Sequence, residues 1–168
     1  LRHLPFRSLG FAHADTHRHL RTGFPEVILG QGKTPPQIAK LLVELNRSGA
    51  TVMATRVTAA AADEVVREVP GAVYHEVARI VVLGPRPAQD KGRGTIAVLT
   101  AGTADIPVAE EAALTAELDG NRVTRVFDVG VAGLHRLLAH RDVIEAAEVV
   151  IVAAGMDGVL PTATAGLF

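Results

Sequence analysis

The chain has 168 residues, 48% of them hydrophobic and 21% charged, with a formal net charge of -1 and no cysteine. That length holds one ordinary domain or two small ones with real cores. Near-neutral, interspersed charge gives no electrostatic reason for a nucleic-acid groove or an anionic membrane surface, so neither partner is expected.

No uncharged run approaches the roughly 18 residues that a bilayer span needs, and the start, Leu1-Arg2-His3-Leu4-Pro5, lacks a signal-peptide pattern. A cytoplasmic location is therefore expected. Without cysteine these residues hold no disulfide, thiolate metal site or thiol nucleophile. The absence of an initial Met suggests an N-terminus that is incomplete.

In the N-terminal half, residues 13–21 read as a polar helix and Glu26 to Leu29 as a short apolar stretch. His13 and His17 have helical i, i+4 spacing there, but a metal site needs a third ligand, so none is expected. Thr34-Pro35-Pro36 opens a helix with a hydroxyl cap and proline in the first turn, Ile38, Leu41, Leu42 and Leu45 give it an apolar face, and Gly49 ends it. A strand over Thr51 to Thr55, a helix over Ala59 to Glu68 and a strand over Val77 to Leu83 complete a small α/β lobe, residues 1–84. The Gly- and Pro-rich polar segment 85–94 reads as a linker.

From Thr95 the pattern becomes strand, loop, helix, repeated. Strands are predicted over Thr95 to Leu99, Arg122 to Phe127 and Glu148 to Ala153, with helices over Pro107 to Leu118 and from Leu134 to Ala139. Such repetition argues for right-handed crossovers and a parallel sheet. Val149 to Val152 is an unbroken apolar run of the kind buried on both faces of a sheet. Only a short segment follows, with a helix predicted after Pro161, so the sheet is expected to be incomplete at the C-terminus.

Each predicted strand of this half ends in a loop of distinctive composition. In Ala101-Gly102-Thr103-Ala104-Asp105, Gly102 permits close approach of a ligand, Thr103 offers a hydroxyl, and the following helix N-terminus favours an anion. Asp105 suits ribose hydroxyls, although Thr103 and Asp105 also fit simple helix caps. In the second loop Gly130 and Gly133 bring the backbone round before His135 and Arg136. They pair a group that titrates near neutrality with a planar fork for phosphate or carboxylate. The plainer reading makes His135 a helix residue satisfied by a carbonyl and Arg136 a surface ion pair. Gly155 and Gly158 flank Asp157 in the third, which also fits a tight turn. In an open parallel sheet all three loops would meet at the carboxyl edge, where ligands bind.

These loops resemble those of the PurE-like carboxylases, in which a Gly-Ser-x-Ser-Asp loop holds phosphate and ribose and a Ser-Ala-His-Arg loop supplies a proton-handling His. Gly102, Thr103 and Asp105 match the first loop with Thr for Ser and a shortened spacing, and Leu134 replaces the small residue before His135-Arg136. The strings 102–112, 128–136 and 154–161 look more like the LarB family of nickel-pincer cofactor biosynthesis proteins. So do residues 15–21, the run Arg21-Thr22-Gly23-Phe24-Pro25-Glu26-Val27-Ile28-Leu29-Gly30-Gln31-Gly32-Lys33-Thr34-Pro35, and Thr55-Arg56. The resemblance covers essentially the whole chain, but members of that family continue past the position of Phe168, so a C-terminal truncation is expected.

The resemblance implies a PurE-like, flavodoxin-like three-layer domain over residues 95–168, behind an N-terminal lobe typical of LarB. It implies carboxylation of the pyridinium ring of nicotinic acid adenine dinucleotide and hydrolysis of the phosphoanhydride, releasing AMP and pyridinium-3,5-biscarboxylic acid mononucleotide. Aminoimidazole ribonucleotide carboxylation and a non-catalytic nucleotide-binding module are the alternatives. The implied partners are a dinucleotide substrate and further copies of the chain, as an octamer. Carbon dioxide or bicarbonate is the implied co-substrate, no tightly bound cofactor is expected, and Mg2+ is left open. A cysteine of the missing portion would attack the ring. Of the residues here, His135, Asp157 and Glu110 are the proton-handling candidates. Gly102, Thr103, Asp105, Gly133, Arg136, Gly155 and Gly158 would bind substrate, Arg136 at a phosphate and Asp105 at the ribose.

Overall fold

A computed structural model describes residues 6–88 and 92–168. The chain forms two compact units, Leu1–Arg86 and Pro87–Phe168. Residues 89–91 of the predicted linker lie outside the described residues.

In the first unit, β1 (Arg7–Ser8) and β2 (His13–Ala14) form an antiparallel pair, followed by α1 (Arg18–Thr22), which Gly23 ends at a φ of 75°. The predicted helix over 13–21 is thus confined to its last part. The reason lies in Asp15, whose carboxylate accepts the His17 N–H at 3.2 Å and pairs with Arg21, while its own N–H donates to Glu26 Oε2 at 2.6 Å. An acidic side chain that ties down the backbone two residues on forms a turn in place of helix.

The Arg21 guanidinium beside Asp15 holds its carboxyl below the usual carboxylate range. The ionised form therefore favours the folded state. Its contribution is complete above the unfolded value near 3.8 and is lost as pH falls through the lowered folded value. Urea unfolding midpoints measured from neutral pH down to acid are expected to drop less steeply in Asp15→Asn than in the parent. Equal slopes would contradict the pairing.

The sheet of this unit contains β3 (Val27–Leu29), β4 (Val52–Thr55), β5 (Val73–His75) and β6 (Ile80–Leu83), in the order β3-β4-β6-β5. Only β3 and β4 are parallel; β6 runs antiparallel to both of its neighbours. Helix α2 (Pro35–Leu45) starts where Gln37 Oε1 accepts the Thr34 N–H at 3.0 Å, and α3 (Ala59–Glu68) starts at Thr58, whose hydroxyl accepts from the Ala61 N–H. Their apolar faces, Ile38, Leu41 and Leu42 on α2 and Ala62 and Val65 on α3, bury against Ile28, Val52, Ala54, Val81 and Leu83. The strand expected over Val77 to Leu83 is shorter, because a turn closed by Arg79 N–H to Glu76 O, with Arg79 left-handed at φ 54°, joins β5 to β6.

The second unit is a parallel sheet with the order β8-β7-β9, from β7 (Thr95–Thr100), β8 (Arg122–Val126) and β9 (Val149–Ala153). Alternation along β7 separates two cores. Val98 buries against Ala109 and Ala113 of α4 (Ile106–Leu118) on one face. On the other, Ala97 and Leu99 pack with Leu137 of α5 (Leu134–Leu138), Ile144 of α6 (Arg141–Glu145) and Leu160 of α7 (Val159–Leu167). Helix, sheet and helix make the three layers. Pro161 falls in the first turn of α7, where its missing N–H costs nothing.

The expectation that Val149–Val152 is buried on both faces is corrected. Val149 is 49% and Val150 36% exposed, because β9 pairs only with β7 among the described residues.

Candidate functional site

The connection after β7 crosses to β8 and the next returns past β7 to β9, with helices on opposite faces. In open α/β sheets ligands bind where the strand order reverses in this way, here at the carboxyl ends of β7 and β9. One side chain bridges the two loops there. Asp105, ending a short 3-10 turn over Thr103–Asp105, accepts the Gly102 N–H on Oδ2 at 2.9 Å and the Gly155 N–H on Oδ1 at 2.8 Å. A Cβ on Gly155 would stand 3.1 Å from Asp105 Oδ1, so that close approach suits glycine.

The loop after β8 is tied to the same place. Buried Thr100 accepts the Asp128 N–H on Oγ1 at 2.9 Å, and Gly130 N–H donates to Ala101 O at 2.8 Å. A Cβ at Gly130 would lie 2.6 Å from that carbonyl oxygen, so no side chain fits without parting the loops. All three loops therefore share one backbone framework.

Within it, Arg136 donates from Nη1 to Asp128 Oδ2 at 2.8 Å, an ion pair with side chains 39% and 50% exposed. This is the plainer of its two sequence readings, yet a pair so open to water leaves the guanidinium's remaining donors accessible. Asp128 itself was missed by sequence reasoning. The available signal was an Asp just ahead of a loop with two glycines, a residue that marks sharp turns and here adopts a left-handed φ of 59°.

His135 is exposed on the first turn of α5 beside Gly133, and its ring has no hydrogen-bond partner among the described residues. The satisfying carbonyl of the plainer reading is absent there. Asp157 is likewise exposed and left-handed at φ 61°, directly before Gly158 at φ 62°. Thr103 is exposed at the head of its turn. The loops thus hold a free imidazole, an open carboxylate and a guanidinium around backbone donors, a set that suits an anionic small molecule and proton transfer.

Glu110 is not brought into this cluster. It sits in the second turn of α4 with its carboxylate on Arg125 Nε at 2.9 and 3.0 Å, while Glu117 takes Arg125 Nη1 at 2.5 Å. Those hydrogen bonds, from Glu117 first, outweigh burial and raise the Arg125 pKa. Glu110 is thereby engaged in an ion pair that fastens α4 to β8. Among the described residues no group of three His, Asp or Glu side chains is placed to hold a metal ion, and no helix is long and apolar enough to cross a membrane.

Fold and loops together define a mixed α/β protein of the PurE-like kind, with its candidate site at the edge of a parallel sheet. Residues 6–85, somewhat under half of the chain, match the family described as LarB/PurE-like N-terminal domain. It is also 35% identical over 160 residues to an uncharacterized protein of Methanocaldococcus jannaschii. The alignment covers 91% of this chain and 62% of that relative, so the chain spans about three fifths of the relative's length.

Proposed function

We propose that the protein is a carboxylase of the LarB type that acts on nicotinic acid adenine dinucleotide, adding a carboxyl group to the pyridinium ring and releasing AMP by phosphoanhydride hydrolysis. The observation that carries this reading is the meeting of three loops at one sheet edge, with Arg136, His135 and Asp157 around backbone donors. The match of residues 6–85 to the LarB/PurE-like N-terminal domain supports it.

In this reading Arg136 attracts a phosphate of the dinucleotide, its orientation held by Asp128. Asp105 keeps lone pairs for the ribose hydroxyls while its two oxygens hold Gly102 and Gly155 in place. Carboxylation of an aromatic ring requires removal of the ring proton, and His135 and Asp157 are the groups within these loops that accept one. The group that first adds to the ring is assigned to none of these residues, which contain no cysteine. Bicarbonate or carbon dioxide is the second substrate. Half-exposed apolar residues on β9 and α7, including Val149, Leu167 and Phe168, support a homo-oligomer as the working form.

Incubating the protein with nicotinic acid adenine dinucleotide and bicarbonate is expected to yield AMP and the dicarboxylated mononucleotide, identified by mass. Intact dinucleotide after prolonged incubation would overturn the proposal.

A further inference from the structure

We propose that the N-terminal unit carries a separate ligand site, for a phosphate monoester bearing an aromatic group, in the groove between β1, α1 and the end of α2. It does not rest on the activity proposed above. The groove has a volume of about 920 Å³, within the range of small-molecule sites.

At its floor Glu44, only 6% exposed, takes Arg7 Nη1 on Oε1 at 2.8 Å and Arg47 Nε on Oε2 at 3.0 Å. One buried carboxylate thereby fixes two guanidiniums that come from distant points of the chain. Their side chains remain 55% and 58% exposed, and neither has another acceptor among the described residues. A guanidinium has five N–H donors, so each arginine keeps four for an incoming group. Two guanidiniums against one carboxylate also leave the floor with an excess positive charge.

Arginine forks match the geometry of phosphate oxygens, and forks already held in place lose little entropy on binding. His17 and His19 border the same groove and add further N–H groups. Phe6 and Leu20 supply an apolar wall, which inorganic phosphate would not use and an aromatic ester would. Thr16, His17, His19 and Leu20 of the polar 13–21 segment thus form one side of an anion clamp.

The test is an NMR titration of the 168-residue chain with phenyl phosphate, following the arginine Nε–H and histidine ring signals. Arg7, Arg47, His17 and His19 are expected to shift together with a single Kd, and phenol is expected to shift none of them. Arg7→Gln and Arg47→Gln should each weaken binding about tenfold or more, with Arg47→Lys between parent and Gln because charge survives without the fork. Should a Gln variant fail to fold, the Lys variant carries the comparison. No shift of the two arginine signals at millimolar phenyl phosphate, or equal binding in the variants, would overturn the site. Equal affinity for inorganic phosphate would overturn the aromatic part.

Discussion

Under the proposed activity, replacing His135 with alanine is expected to lower turnover of nicotinic acid adenine dinucleotide by about 10²–10⁴ while leaving its binding nearly unchanged. The expectation comes from position. The ring is exposed at the start of α5, free of any partner among the described residues, and beside a glycine whose Cβ would approach His135 Cε1 to 3.1 Å. Its exposure means that a stability effect is not expected to contaminate the kinetics. Single-turnover rates and a separate binding titration divide the two outcomes. A matched loss of affinity and rate would make His135 a contact residue and leave Asp157 as the proton acceptor.

Asp105→Ala is expected to cost about 2–4 kcal/mol of stability in the second unit, since it strips two backbone donors of a charged acceptor. Half-open surroundings keep the figure below the full sum of two such bonds, because water replaces part of what is lost. The signature is local as well as global: the Gly102 and Gly155 amides, now protected by Asp105 Oδ2 and Oδ1, should exchange with solvent much faster. Asp105→Asn retains one acceptor oxygen and should lie between. Chemical denaturation and amide exchange measure both effects. If Asp105→Ala keeps parental stability and slow exchange at Gly155, the carboxylate does not hold the two loops together.

The parallel sheet of the second unit was legible because β7 and β9 are long enough to show an apolar run, and because α4 between β7 and β8 carries its own start and stop residues. Helix α3 was legible to the residue, since Thr58 and Glu68 bound a clear apolar stripe. What escaped was short or local. The β1–β2 pair has two residues a side, too few for any period, and β5 is a three-residue strand behind a turn. The five-residue α6 was masked by the polar Arg141-Asp142 start.

At the site, residue types were legible but partners were not. Asp105 was read as a ligand contact and is also a clamp to Gly155, a residue 50 positions away. Glu110 read as a proton acceptor because sequence distance says nothing of Arg125 across the layer. Val149 and Val150 read as core because an edge strand and a central strand can share one composition.

The central claim is that the loops after β7, β8 and β9 form one site for an anionic ligand, and hydrogen–deuterium exchange of the protein with and without nicotinic acid adenine dinucleotide tests it most directly. The account predicts added protection in three separate segments, around Gly102–Asp105, Asp128–Arg136 and Ala154–Gly158. Protection confined to one of them, or appearing only in residues 6–85, would contradict it.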